Sequence, residues 1–170
     1  ATEHSVMCAG GQDDEMGTFQ RLMKIYPTGI LSVVSDTWDY FGVLTNILPK
    51  LKDQIMSRQG KLVIRPDSGD PVKIICGDPD APVDSPEHLG SLGLLAQEFG
   101  TTTDSQGLKV LNEKIGLIYG DGMNQDRIKL MLDTMIEIGF SPLNLVFGIG
   151  AYTYQYTTRD ELGLCCQDEW

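Results

Sequence analysis

The sequence predicts an α/β fold built on a parallel sheet or barrel, and three observations predict it. Four short, apolar and largely β-branched runs recur along the chain: Ile30–Val34, Leu62–Ile64, Ile115–Tyr119 and Leu145–Phe147. Segments with helical spacing separate them, and each run stops at a cluster of Asp, Arg, Ser or Gly. Near-continuous apolar strands alternating with helices belong to parallel sheets whose faces are covered by those helices.

The elements follow in order. Ile30–Val34 gives way to Ser35-Asp36, and a helix is expected over Tyr40 to Met56, where Phe41, Leu44, Ile47, Leu48, Leu51 and Ile55 recur at helical intervals. Leu62–Ile64 ends in Arg65-Pro66-Asp67. The stretch from Pro66 to Asp104 then carries eight carboxylates against one lysine, Lys73, which marks it as an acidic excursion over the surface. Its prolines, Pro71, Pro79, Pro82 and Pro86, are expected to break any regular element before a helix around Pro86 to Phe99, with His88 exposed on it. Ile115–Tyr119 ends in Gly120-Asp121-Gly122, and Gln125 to Ile138 reads as a helix with Ile128, Leu132, Met135 and Ile136 on one side. Leu145–Phe147 ends in Gly148-Ile149-Gly150.

Composition narrows the class. A chain of 170 residues suits one ordinary domain with a real core. Twenty-four acidic against 13 basic side chains give a net charge of −11, and the lysines are scattered, so nucleic-acid binding is not expected. No apolar run approaches the roughly 20 residues that span a bilayer, so no membrane partner is expected. Residues 1–11 lack the pattern of a secretory signal. Cys8, Cys76, Cys165 and Cys166 have neither metal-ligand spacing nor the density of a disulfide scaffold. These features read as a reduced, soluble, cytoplasmic protein.

In parallel α/β proteins the carboxyl ends of the strands form the ligand-binding face, so the four polar clusters would converge there. Helix N-caps and turns also use Asp, Ser and Gly, and for each single cluster that alternative stands. Arg65-Pro66-Asp67-Ser68-Gly69-Asp70-Pro71 is the densest. Arg65 offers a planar fork for phosphate oxygens, and Asp67 lies on the same side if the backbone stays extended; the alternative is a structural salt bridge. Asp121 between two glycines suits a ribose diol, or an ordinary turn. Gly148-Ile149-Gly150-Ala151 is a small-residue loop able to aim N–H groups at a phosphate, and Arg159 follows within reach of the same anion. Only two histidines, His4 and His88, and no plausible nucleophile pair argue against a Ser-His-Asp hydrolase.

Thr2-Glu3-His4-Ser5, Ser32-Val33-Val34-Ser35-Asp36, Arg65 to Pro71, Tyr119-Gly120-Asp121-Gly122, Phe147-Gly148-Ile149-Gly150 and Thr158-Arg159-Asp160, in this order, resemble the nicotinamide phosphoribosyltransferase family. The acidic excursion is similar to that of its bacterial and phage branch. The resemblance implies part of an irregular parallel α/β barrel of the type II phosphoribosyltransferase kind. It also implies a dimer that joins nicotinamide to phosphoribosyl pyrophosphate with Mg²⁺, giving nicotinamide mononucleotide and pyrophosphate. By the same resemblance His4 is the histidine phosphorylated by ATP, and Arg65 and Asp67 face diphosphate, ribose and base. Ser32 and Asp36 line the nicotinamide tunnel, Gly120 and Asp121 hold the ribose, and Gly150, Ala151 and Arg159 bind the 5′-phosphate. Ala151 stands where many relatives have glycine or serine.

Members of that family are much longer, so residues 1–162 are expected to be half a barrel, unstable or oligomeric alone because its strand edges are open. Two other readings stand beside the enzyme: an inactive remnant that binds phosphoribosyl ligands or a partner subunit, and a nicotinate phosphoribosyltransferase. Residues 163–170 depart from the family pattern. A one-base shift in a compatible codon string restores Gly-Phe-Ala-Val-Lys-Met-Asn, so a frameshifted tail is expected, and sequencing the gene tests it.

Overall fold

The computed structural model describes residues 1–148. Helix α1 (His4–Cys8) and α2 (Glu15–Ile25) precede strand β1 (Thr28–Val34), which leads into the short helix α3 (Tyr40–Gly42), a π-helical turn (Val43–Ile47), α4 (Leu48–Lys50) and α5 (Lys52–Ser57). Strand β2 (Gln59–Arg65) is followed by α6 (Pro71–Cys76), α7 (Pro86–Phe99) and a hairpin of β3 (Thr101–Thr103) and β4 (Lys109–Leu111). Then come β5 (Ile115–Tyr119), α8 (Gln125–Glu137) and β6 (Leu145–Phe147). The chain is α/β, as the alternation of runs predicts.

Strands β1, β2, β5 and β6 form one sheet in that order, every pair parallel. The central β2 pairs on both sides, which extends it beyond the apolar core Leu62–Ile64 at each end. Period-two alternation splits the sheet into two unlike faces. Leu31, Val33, Leu62, Ile64, Ile115, Leu117, Tyr119 and Leu145 point one way and are buried together with Leu92, Met131 and Met135 from the covering helices. Burial of each such side chain contributes about 1.5–3 kcal/mol, so this face organises the domain. The other face carries Ser32, Lys61, Val63, Arg65 and Gly116, with Ile30 (77% exposed) and Val146 (59%) toward the edges. Barrel closure, which the resemblance implies, is not shown by these four strands.

Three expectations need correction. The helix anticipated over Tyr40 to Met56 is broken into short pieces. Pro49 has no N–H for the carbonyl four residues back, the backbone widens into the π-turn just before it, and Leu51 leaves helical geometry at ψ 3°. Conversely, Pro71 does not break structure but starts α6. It occupies the first helical position, and Asp70 caps the helix by accepting from the Val72 and Lys73 N–H groups at 2.9 and 3.3 Å. The helix over Pro86 to Phe99 is present, with Ser85 as its cap, but it departs from helical geometry at Gly90 (φ +64°). Gly90 lies against the backbone of Gly77, where a β-carbon would collide. His88 is half-buried rather than exposed, its Nδ1 enclosed without a partner among the described residues.

The acidic excursion is closed at its neck. Asp78 N–H donates to the Glu87 carbonyl at 2.8 Å, and Lys73 pairs with Asp78 at 3.0 Å. Deeper in, the Tyr40 and Ser91 hydroxyls lie 2.7 Å apart, and Ser91 donates to the Ile74 carbonyl at 2.7 Å, tying α3, α6 and α7 together. Among the described residues no helix is long and apolar enough to cross a membrane.

A buried acid sits where α2 begins. Glu15 is 7% exposed, its Oε1 has no hydrogen-bond partner among the described residues, and burial with the nearby charge of Asp39 raises its pKa to about 7. The unfolded value lies near 4.5, so the folded state holds this proton more tightly. Stability from this group is therefore present below pH 4.5 and is lost as pH rises to about 7. Glu15→Gln is expected to raise the melting temperature at pH 8 and to leave it unchanged at pH 4. Equal shifts at both pH values would rule out the proton as the cause.

Candidate functional site

The residues that follow β1, β2 and β5, with Gly148 after β6, lie at the carboxyl edge of the sheet, because parallel register brings the strand tips level. Val34 pairs with Arg65, Ile64 with Leu117, and Tyr119 with Phe147. The helix-cap alternative accounts for part of each cluster only. Asp39 caps α3 through Gly42 N–H, Asp70 caps α6, and Asn124 caps α8. Asp36, Asp67 and Asp121 cap no helix.

Asp36 is the hinge of the arrangement. Its side chain is 6% exposed, and Oδ2 accepts from Asp67 N–H at 2.7 Å and from Ser68 Oγ at 2.6 Å. The loop after β1 thereby holds the loop after β2. Oδ1 lies 3.9 Å from His4 Nε2 and has no hydrogen bond among the described residues. His4, half-exposed, has its Nδ1 3.1 Å from Thr37 Oγ1. Its backbone is stapled to β1, since Thr2 N–H donates to the Ser32 carbonyl at 2.9 Å and Thr2 Oγ1 accepts from Val34 N–H at 2.9 Å.

Arg65, 15% exposed at the end of β2, reaches Glu3 Oε2 at 3.3 Å and Asp67 Oδ2 at 3.9 Å. Both contacts are loose for an arginine–carboxylate pair, which closes to about 2.7–2.9 Å when fully engaged. Its Nε is buried without a partner among the described residues, as is Ser32 Oγ. Buried polar atoms are nearly always satisfied in folded proteins, so these three unpartnered atoms single out this end of the sheet as a candidate site.

Tyr119 and Gly120 shape the β5 side. The Tyr119 ring is fully buried, and its hydroxyl donates to the Ser68 and Gly69 carbonyls at 3.1 and 3.0 Å. Burial, then the charges of Asp121 and Asp36, and more weakly Asp67, raise its pKa to about 12, with Arg127 opposing. The hydroxyl stays protonated, and three carboxylates share its field. Gly120 and Gly148 abut: a β-carbon on Gly148 would stand 3.0 Å from the Gly120 Cα. Arg127 pins the adjoining loop by donating to the Gly122 carbonyl at 2.9 Å.

Of the residues singled out in the sequence, His4, Ser32, Asp36, Arg65, Asp67, Gly120 and Asp121 all lie at this edge. Gly150, Ala151 and Arg159 lie outside the described residues, as do Cys165, Cys166 and the rest of the 163–170 tail. Sequence reasoning missed Thr37, Ser68 and Tyr119. Ser68 and Tyr119 stand inside quoted motifs, so adjacency was the available signal; Thr37 offered none.

A parallel sheet whose successive strand tips gather an arginine, three aspartates and two abutting glycine loops defines an α/β protein of the strand-tip binding class. The chain belongs to the nicotinate phosphoribosyltransferase (NAPRTase) family, whose model matches residues 1–168. It is 51% identical over 177 aligned positions to the nicotinamide phosphoribosyltransferase of Acinetobacter baylyi, covering all of this chain and 35% of that one. It is 45% identical to the nicotinamide phosphoribosyltransferase of Mycoplasma pneumoniae and 41% to that of Mycoplasma genitalium, each time over 96% of this chain and 36% of the relative. The chain thus spans about 35% of the length of these curated relatives.

Proposed function

We propose that this chain supplies the phosphoribosyl-handling part of a nicotinamide phosphoribosyltransferase of NAD salvage. In the reaction the pyridine nitrogen of nicotinamide bonds to C1 of phosphoribosyl pyrophosphate, and the C1–oxygen bond breaks with its electrons leaving on pyrophosphate. The observation that carries this reading is the set of buried, unpartnered atoms at the strand tips: Ser32 Oγ, Asp36 Oδ1 and Arg65 Nε. Relatives that are 41–51% identical and carry the nicotinamide name favour that base over nicotinate.

Each residue has a task that its chemistry suits. Arg65 neutralises the departing diphosphate. Asp67, beside it, faces the positive charge that develops at C1. Ser32 and Asp36 line the nicotinamide tunnel, Gly120 and Asp121 hold the ribose, and Gly150, Ala151 and Arg159 bind the 5′-phosphate. Mg²⁺ arrives on the diphosphate. Among the described residues no three His, Cys, Asp or Glu side chains converge as a metal cage. That donor set suits an ion held mainly by substrate oxygens and touched by one or two carboxylates such as Asp67. When bound, Mg²⁺ offsets the charge that three aspartates would otherwise oppose. His4, with Nδ1 3.1 Å from Thr37 Oγ1 and Nε2 3.9 Å from Asp36 Oδ1, is the histidine that ATP would phosphorylate. A cytoplasmic homodimer completes the reading.

Replacing the matching segment of the Acinetobacter baylyi relative with this chain tests it. The chimera is expected to form nicotinamide mononucleotide from nicotinamide and to favour nicotinamide over nicotinate. A folded chimera that forms no mononucleotide, or that prefers nicotinate, would overturn the proposal.

A further inference from the structure

The loop between β2 and α6 carries the densest cluster of polar groups, yet it has no regular hydrogen bonding of its own. It is held from both sides by its neighbours. On the β1 side, Asp36 Oδ2 accepts from Asp67 N–H and Ser68 Oγ. On the β5 side, the Tyr119 hydroxyl lies 3.1 and 3.0 Å from the Ser68 and Gly69 carbonyls, a three-centre bond from a single O–H. Asp36 thus takes the loop's donors and Tyr119 its acceptors. Three consecutive residues, Asp67 to Gly69, are fixed between the two strands that flank β2.

We propose that Tyr119 is a positioning residue: its buried hydroxyl clamps the Ser68–Gly69 backbone so that Arg65 and Asp67 keep the geometry the phosphoribosyl ligand requires. The tyrosine touches no ligand itself. Its ring enters the core from the last position of β5, so the hydroxyl's location is set by the sheet. Burial first, then the charges of Asp121, Asp36 and Asp67, hold the proton on the oxygen, which keeps it a donor to carbonyls rather than an anion repelled by them. Phenylalanine would fill the same space and leave two carbonyls without a donor. The inference rests on the phosphoribosyl reading above for its ligand, and on geometry alone for the clamp.

The test uses the chimera described above and its Tyr119→Phe variant, with residue-resolved amide exchange and calorimetric titration with Mg²⁺–phosphoribosyl pyrophosphate. Loss of one shared hydrogen bond is expected to speed exchange at Asp67, Ser68 and Gly69 by up to about tenfold and to weaken ligand binding by a similar factor. Core amides of Leu62 and Leu117 are expected to exchange as before. Unchanged loop exchange overturns the clamp. Equal loosening of Leu62 and Leu117 also overturns it, because the hydroxyl would then hold the fold rather than the loop. Unchanged affinity with a loosened loop removes the positioning role. Failure of the unsubstituted chimera to bind overturns the phosphoribosyl reading, while exchange in the variant still decides the clamp.

Discussion

Arg65→Ala is expected to cut the affinity for Mg²⁺–phosphoribosyl pyrophosphate by about 30-fold or more while leaving the melting temperature nearly unchanged. The binding loss follows from removing one member of a buried, hydrogen-bonded charge pair with the diphosphate, which costs about 2–5 kcal/mol. The small stability change follows from the contacts in the free protein. Glu3, 70% exposed at 3.3 Å, and Asp67 at 3.9 Å are weak partners, and such pairs contribute at most about 1 kcal/mol. Arg65→Lys keeps the charge but loses the planar fork and should recover only part of the affinity. Calorimetry beside a thermal melt separates the two quantities. Unaltered binding would mean that the arginine is structural.

Asp36→Ala is expected to do the reverse and lower stability first. The carboxylate is nearly enclosed and accepts from Asp67 N–H and Ser68 Oγ, so its removal strands both donors. A cost of about 3 kcal/mol follows from the loss of charge-assisted hydrogen bonds. For a domain of this size that amounts to a fall of roughly 6–12 °C in melting temperature. Asp36→Asn keeps one acceptor oxygen and should restore most of the loss. A melt of Asp36→Ala that overlays the wild type would show that the two hydrogen bonds do not hold the loop.

The sheet was legible because its signal is local. Ile115–Tyr119 and Leu145–Phe147 are strands over the same residues in sequence and structure. Helix continuity was not legible over Tyr40 to Met56, where apolar spacing persists through Pro49 while the hydrogen-bond ladder does not. The start of α6 at Pro71 was misread because proline stops a helix in its interior but fits its first position once Asp70 caps it. At the site, the sequence placed Asp36, Arg65, Asp67, Gly120 and Asp121 just past or at the ends of strands, and parallel register levels those ends. It did not indicate how loops hold one another. Asp36 to Ser68 and Tyr119 to Gly69 join residues more than 30 positions apart, and nothing in local spacing encodes such pairs.

The closed neck of the acidic excursion has a practical consequence. With Asp78 bonded to Glu87 and Gly77 pressed on Gly90, the turn beyond them is mechanically insulated from the sheet. Val83, at its tip, is 74% exposed. An affinity peptide grafted there would hold the protein to a surface from outside, without disturbing the strand tips.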